Sequence, residues 1–339
     1  MKPLVSILMP AYNAERSIAD TLESAVAQTW EPKEIIVVDD GSKDATLAIV
    51  QKFAPRGVRV VSQKNQGAAA ARNNAFQLSK GDFIQWLDAD DLLSRDKIAN
   101  QISALEGVRN QRTLVSGACG HFRFRPDRAD FTPTALWCDL APLEFLLRKI
   151  EQNLFMQTAT WLASRELVAA AGPWDTRLLS DDDGEYFCRV VRGSDSIRFV
   201  REAKVYYRIG GDGLSYIGRS SRKLEALFLS IELHIQYIRS LEDSPRVRQA
   251  CLTYLQRHLF YFYPELPEIV ERAHWIAADL GGRLETPRLS WKYAWIQKLF
   301  GWHAAKRAQL HYNRLKAAGV ASLDRALAAV EKPKVISNN

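Results

Sequence analysis

Short runs of consecutive apolar residues alternate with amphipathic stretches along the first ninety positions. Val5-Ser6-Ile7-Leu8-Met9 is stopped by Pro10, Ile35 to Val38 is a continuous β-branched run, Val58 to Val61 is a third, and Phe83 to Leu87 a fourth. Runs this short and this apolar predict strands buried on both faces of a parallel sheet. Between them, Ala14 to Gln28 places Ile18, Leu22, Ala25 and Val26 at helical spacing, Leu47, Ile49 and Val50 mark a second helix, and an alanine-rich stretch runs through Ala75 to about Leu78. Strands alternating with helices in this way predict βαβ crossovers and a sheet covered by helices. A strand at Thr158 to Leu162 and helices from near Ser94 and Ser164 are also expected. From about Ser220 the period becomes helical throughout: Leu224, Leu227, Phe228, Ile231, Ile235 and Ile238 form one stripe, Leu252, Leu255, Leu259 and Phe262 another, and a helix from Pro267 ends at Gly281-Gly282.

The polar residues collect where strands end. Asp39-Asp40-Gly41-Ser42 follows the second strand, and Asp88-Ala89-Asp90-Asp91 follows the fourth. Ligands of open α/β sheets bind at the carboxyl ends of the strands, and Asp-x-Asp there suits a hard divalent cation that also holds phosphate oxygens. A solvated acidic turn is the alternative. A dinucleotide-binding domain would need G-x-G-x-x-G after the first strand, which instead ends Pro10-Ala11-Tyr12-Asn13, and no Walker-type sequence occurs.

Composition narrows the class. At 339 residues, with 47% hydrophobic and 25% charged residues, the chain is long enough for one large domain plus an extension or for two domains. No apolar run reaches membrane-spanning length, and the start passes straight into a strand pattern without a cleavable signal, so a cytoplasmic location is expected. The four cysteines stand far apart and favour neither a disulfide framework nor a zinc site. A net charge of +7 favours anionic partners.

Four motifs in register carry a resemblance. Val5 to Asn13, then Val37-Val38-Asp39-Asp40-Gly41-Ser42 with Asp44 and Thr46, then Asn65-Gln66-Gly67 running on to Ala71-Arg72-Asn73, then Leu87-Asp88-Ala89-Asp90-Asp91 resemble the family 2 glycosyltransferases in order and spacing. The resemblance covers about residues 3 to 215. It implies an α/β GT-A fold: a three-layer sandwich with a mostly parallel central sheet over residues 1–216, followed here by an α-helical C-terminal region over 217–339. It further implies an inverting transfer from a UDP- or GDP-linked sugar, with Mn²⁺ or Mg²⁺, to the hydroxyl of a glycan or lipid-linked acceptor in cell-surface polysaccharide or glycolipid assembly. A catalytically silent nucleotide- or glycan-binding member and a basic nucleic-acid-binding protein are the rival readings. Against the second, no nucleic-acid module is visible and the Arg and Lys residues look dispersed.

Residue by residue, Pro10, Tyr12 and Asp40 match the part of the pattern that encloses nucleobase and ribose. Tyr12 then stacks on the base, or else packs as an ordinary aromatic; Asp40 accepts from a base N–H, or else orders the turn at Gly41. Arg72 matches an arginine able to neutralise phosphate. Asp88 and Asp90 match the metal and ribose-phosphate motif, with Asp90 before Asp88 as direct ligand. Gly172-Pro173-Trp174-Asp175, then Asp181-Asp182-Asp183 and Arg189, resemble the acceptor-side element, and counting back from Arg189 puts Asp183 in the place of the general base with Asp182 as electrostatic support. The register among Asp181, Asp182 and Asp183 stays open by one, and an acidic first turn that stabilises a helix is the alternative. Arg208, before a glycine-dense loop that reaches Tyr216, is a candidate diphosphate contact and hinge, or part of a plain surface loop. Trp291 to Trp302, flanked by Lys306 and Arg307, has the composition of a peripheral contact with the inner face of a membrane, with core packing as the other option.

Overall fold

The protein is described here by a computed structural model covering residues 2–107, 112–210 and 220–330. Strand β1 (Val5–Ala11) leads through α1 (Ile18–Val26) to β2 (Lys33–Asp39), then through α2 (Thr46–Gln51) to β3 (Val58–Ser62), and through α3 (Ala68–Leu78) to β4 (Phe83–Trp86). All four are parallel. Their side chains alternate between two helical layers. Ile7, Met9, Ile35 and Val37 face Ile18, Leu22 and Val50 of α1 and α2, whereas Leu8, Ile36 and Val38 face Ala71 and Ala75 of α3. Burial on both faces is why these strands read as unbroken apolar runs.

The chain continues through β5 (Leu92–Leu93), α4 (Lys97–Ser103), β6 (Thr113–Phe122), α5 (Pro142–Gln152), β7 (Ala163–Ser164), α6 (Arg165–Ala171), α7 (Asp182–Gly193) and β8 (Ser196–Arg208). β7 adds to β4 antiparallel, giving the order β3-β2-β1-β4-β7, and a second sheet has the order β5-β8-β6. β6 and β8 pair in parallel with a shift of register between Gly117 and Ala118. A Cβ on Gly117 would lie 2.1 Å from the Ala203 carbonyl oxygen, so this approach of two backbones requires glycine.

Two local expectations are corrected. The strand expected at Thr158 to Leu162 is a 3₁₀ turn over Thr158–Thr160, after which Leu162 makes an isolated antiparallel bridge to Val115 and β7 begins at Ala163. Buried glutamines satisfy this backbone instead of a neighbouring strand: Gln85 Nε2 donates to the Ala159 carbonyl (2.8 Å) and Gln101 Nε2 to the Thr160 carbonyl (2.8 Å). The helix expected near Ser94 starts at Lys97, because Leu92 and Leu93 are taken by pairing with Tyr206 and Val205.

Beyond β8 the structure is helical: α8 (Ser221–Leu241), α9 (Pro245–Phe262), α10 (Pro267–Asp279) and α11 (Ala294–Val330). The stripes expected on α8 and α9 are buried, and Phe228, Ile231, Leu255 and Phe262 join one continuous core with Trp86, Trp161 and Phe187. α10 ends as expected, with Gly281 at φ +83°. α11 is bent at Gly301 (φ +80°). Near its start Lys306 is buried and donates to Glu265 (2.6 Å) and to the Tyr263 carbonyl (2.7 Å). Near its end Asp324 pairs with Arg125 (2.7 Å), just past β6. Core packing of the tryptophan-rich segment is not observed: Trp291 is 80% and Trp295 61% exposed, and only Trp302 is half-buried, edge-on to Tyr263. No helix among the described residues is long and apolar enough to cross a membrane.

Candidate active site

The carboxyl ends of β2, β1 and β4 lie side by side and carry, in that order, Asp40, Tyr12 and the turn from Asp88 to Asp91. The crevice of such a sheet opens where strand order reverses, here between β1 and β4. Pro10 is buried inside β1 opposite Val38. Tyr12, just beyond the strand, is 47% exposed, a flat aromatic surface at the mouth of the crevice. Asp40 is buried, and its carboxylate is already engaged. Gln66 N (2.9 Å) and Gln63 Nε2 (2.8 Å) donate to one oxygen, and Gly67 N (2.8 Å) to the other. It therefore ties the Asn65-Gln66-Gly67 turn and the N-terminus of α3 to the end of β2.

Arg72 of α3 joins the two acidic clusters. One guanidinium nitrogen reaches Asp88 (2.7 Å) and another Asp182 at the start of α7 (2.8 Å), while the guanidinium plane sits 4.3 Å from the Trp174 ring. Trp174 is itself held by Asn73, which accepts from its N–H (2.8 Å) and donates to its carbonyl (2.9 Å), and it stacks on Tyr186 of α7. Arg72, expected from the sequence to meet phosphate, pairs here with two carboxylates. Its positive charge brings Asp182, 110 positions further along the chain, to the same place as Asp88.

The three carboxylates of the acidic turn point in different directions. Asp181, at φ +56°, caps α7 and points its carboxylate at α8, where Ser230 Oγ donates to it (2.6 Å). Asp182 faces Arg72. Asp183 receives Gly184 N (2.9 Å) and, weakly, Thr158 Oγ1 (3.5 Å). Burial, followed by the charges of Asp182 and Asp181, pushes the Asp183 carboxyl up to about 7. Asp182 is raised for the same first reason, with Arg72 opposing. Arg189 points away, pairing with Glu185 (2.7 Å) and donating to the Pro173 carbonyl (2.9 Å).

Asp91 is fully buried and closed off. Its oxygens receive Arg208 N (2.8 Å) and the Gln157 amide. Asp90 is different: its carboxyl is pushed up to about 6 by burial and by the adjacent Asp88 charge, and among the described residues only its own backbone amide lowers it by hydrogen bonding. Asp88 and Asp90 thus form a close acidic pair whose charge is only partly balanced. No three His, Cys, Asp or Glu side chains among the described residues form a metal cage. One or two carboxylates completed by diphosphate oxygens and water is, however, the usual way to hold Mg²⁺, so these residues fit a divalent cation brought together with an anionic ligand. Arg208 places its guanidinium against the Asp90 carbonyl (Nε to O, 2.9 Å) and 4.7 Å from the Phe122 ring, on the rim of the same crevice. The loop after it, from 211 to 219, lies outside the described residues.

Sequence reasoning missed Gln157, which donates to both Asp91 and, at 3.4 Å, Asp88, and Ser230 on α8. Neither sits in a recognisable local pattern, and a glutamine before a 3₁₀ turn carries no signal of its own. A groove of about 510 Å³, lined by Tyr263, Val270 and Trp275 among others, involves none of these residues.

A parallel sheet of this order, with carboxylates gathered at its switch point and a second acidic helix start facing them, defines a GT-A protein. Residues 6–162 match the model of glycosyl transferase family 2. Among similar proteins, a glycosyltransferase of Rickettsia prowazekii without assigned function is 30% identical over 213 residues, covering 61% of this chain and 64% of that protein. A UDP-Glc:alpha-D-GlcNAc-diphosphoundecaprenol beta-1,3-glucosyltransferase of Escherichia coli is 44% identical over 106 residues, 30% of this chain and 41% of that one. The chain therefore spans under two-thirds of the length of these relatives. Among solved structures, S. aureus TarS superposes with a TM-score of 0.63 at 19% identity, covering 83% of this chain and 49% of TarS. The mannosyltransferase PcManGT of Pyrobaculum calidifontis, solved with GDP-Man and Mn²⁺, has a TM-score of 0.52 at 20% identity, covering 95% and 88%. At such identities the likeness is one of fold.

Proposed function

We propose that the protein is a metal-dependent inverting glycosyltransferase that moves a sugar from a UDP- or GDP-linked donor to a hydroxyl of a glycan or lipid-linked acceptor. The observation that carries this is the meeting of two acidic clusters across Arg72: Asp88 with Asp90 at the sheet edge, and Asp182 with Asp183 at the start of α7. Tyr12 offers a stacking face for the nucleobase, and Pro10 and Asp40 shape the wall beside it. A divalent cation held by Asp90 and Asp88 would supply positive charge to the leaving diphosphate. Asp183 accepts the proton of the acceptor hydroxyl as that oxygen attacks the anomeric carbon from the face opposite the diphosphate. Its raised pKa, about 7, suits a base working near neutrality. Asp182, paired with Arg72, stands next to the base as its electrostatic support. Arg208 at the crevice rim, paired with Asp20 at 3.5 Å, is a candidate cation for phosphate.

The activity named for the E. coli relative favours an acceptor on a lipid diphosphate and a role in surface glycan assembly. A peripheral position at the cytoplasmic face of a membrane fits the C-terminal region. Between Thr286 and Val330 stand eight Lys and Arg and a single acid, Asp324, so this segment alone carries a formal +7, the net charge of the whole chain. The excess comes from the scarcity of acids in this segment rather than from a concentration of basic residues. Lys306, buried against Glu265, is not available to lipid, leaving Lys292, Lys298 and Arg307 beside the exposed Trp291, Trp295, Leu299 and Phe300.

Two variants test the reading. With UDP-sugars and GDP-sugars screened by thermal shift, Mn²⁺ should enhance donor binding to the native protein and not to Asp90→Ala. Asp183→Asn should keep that binding and lose about 10²- to 10⁴-fold in turnover, the usual worth of a general base. Equal Mn²⁺ enhancement in Asp90→Ala, or full turnover in Asp183→Asn, overturns the assignment. Absence of both transfer and slow donor hydrolysis across donors would instead favour a silent member of the fold.

A further inference from the structure

The acidic turn that presents Asp182 and Asp183 is held from outside the family-matched region. Asp181 adopts a left-handed backbone (φ +56°), uncommon for a side-chain-bearing residue, and turns its carboxylate back over the first turn of α7. There is room for it only because residue 184 is glycine: a Cβ on Gly184 would lie 2.1 Å from Asp181 Oδ1. The other oxygen, Oδ2, accepts the hydroxyl proton of Ser230 from α8 at 2.6 Å. Ser230 is fully buried, as is His234 one turn further along α8.

His234 fixes that turn of α8 in its own way. Lys149 Nζ of α5 lies 3.3 Å from His234 Nε2, and His234 Nδ1 lies 2.8 Å from the Ser230 carbonyl. An ammonium can only donate, so Nε2 accepts and Nδ1 carries the hydrogen given to Ser230. Burial and the adjacent Lys149 charge push the imidazole down to about 4, which keeps it in this neutral form. α5, α8 and the start of α7 are thereby joined in one hydrogen-bonded line that ends at Asp181.

We propose that Ser230 is a positioning residue for glycosyl transfer: by holding Asp181 folded over Gly184, it fixes the backbone angle at which Asp183 meets the acceptor. The helical C-terminal region is thus part of the catalytic machinery. The inference rests on the assignment of Asp183 as the base. Gly184 belongs to the same device as the residue that leaves space for the Asp181 carboxylate.

The experiment uses the full chain, with UDP-GlcNAc, UDP-Glc and GDP-Man as donor probes and Mn²⁺ present. Ser230→Ala should lower kcat about tenfold, leave UDP affinity by calorimetry within twofold, and increase amide hydrogen exchange over Asp183 to Glu185. Ser230→Thr, which keeps the hydroxyl, should restore both kcat and protection. Asp181→Asn should lower kcat similarly, and the double variant should lose no more than either single one, because the two residues act as one contact. Additive losses, or a Ser230→Ala enzyme with native kcat and native exchange, would overturn the positioning role while leaving Asp183 as base. A fully active Asp183→Asn would overturn the base assignment itself, and hydrogen exchange would still report whether Ser230 orders the turn. Should Ser230→Ala fail to fold, Gly184→Ala addresses the same device from the α7 side and is expected to show the same split between kcat and UDP affinity; native kcat in that variant refutes the inference.

Discussion

Replacing Arg72 with methionine would keep the length of the side chain and its contact with Trp174 but remove the charge shared by Asp88 and Asp182. Arg72 is only 6% exposed at its side chain, against 27% for Asp88 and 18% for Asp182. Removing one partner of a buried pair costs about 3–5 kcal/mol, because the remaining charge is left without compensation. Asp88 is the more solvated of the two and its share is screened, so the lower part of that range, about 3–4 kcal/mol, is expected near pH 7. Unfolding entropy near 60 °C is about 2.1 cal/mol/K per residue, or ~0.7 kcal/mol/K for a chain of 339 residues, so the melting temperature should fall by about 4–6 °C. The deficit has a sign with pH. Arg72 lowers the pKa values of Asp182 and Asp183, so in its absence both rise further and the folded variant binds more protons than the unfolded chain. Its stability then decreases as pH rises through those values, and the gap to the native protein should narrow as pH falls toward about 5. Calorimetric or fluorescence melts of both proteins at pH 5 and pH 8 read this directly. A shift under about 1 °C at pH 8, or one of equal size at both pH values, would show that Arg72 holds the two clusters by packing alone and not by charge.

Four further expectations follow from the same geometry. Turnover should rise about tenfold per pH unit below a midpoint near 7 and level off above it, since Asp183 must be ionised to accept a proton; a pH–rate profile checks this, and Asp183→Asn should flatten it. Asp182→Asn should cost less turnover than Asp183→Asn and move the midpoint to lower pH, because it removes a neighbouring negative charge that raises Asp183. Asp40→Ala should lower stability by about 1–3 kcal/mol in urea melts, since two backbone amides and the Gln63 amide lose their acceptor. The native chain should co-sediment with liposomes containing acidic lipid at low salt and be released at high salt, and replacing Trp291 and Trp295 with serine should abolish the binding.

The first half of the chain was legible because its strands are buried on both faces and its helices on one, so the run length and period of the apolar residues report the layers directly. The unbroken β-branched run from Ile35 to Val38 is what a strand covered by helices on both sides demands. The second sheet was not legible in the same way. β6 reads Thr-Leu-Val-Ser-Gly-Ala-Cys-Gly-His-Phe, where small residues make room for a neighbouring backbone and an aromatic ring: a Cβ on Gly120 would lie 2.4 Å from Phe131. Neither alternation nor continuous hydrophobicity survives that demand. Within the site, Asp88, Asp90, Asp182 and Asp183 could be named because each lies in a motif, whereas the residues that orient them could not. Gln157 and Ser230 act through contacts 66 and 49 positions distant in sequence, and no local spacing encodes such a meeting. The carboxylate partners of Arg72 were not legible for a related reason: its position in the motif was visible, but its partners depended on where α7 would come to rest.

The pairing of β5 with β8 has a consequence for the order in which the site is made during synthesis. Leu92 and Leu93 find their partners at Tyr206 and Val205, and Asp91 receives the backbone amide of Arg208, 117 residues downstream. A nascent chain in which β1 to β4 have already emerged can assemble that sheet from local crossovers, but its acidic turn still lacks the strand that closes it. Contacts of such separation form late, since the loop must be ordered before they can be made. The acidic edge of the sheet is therefore completed only after β8 has left the ribosome, so a chain halted before that point would carry the whole Asp-x-Asp motif without the strand that closes it.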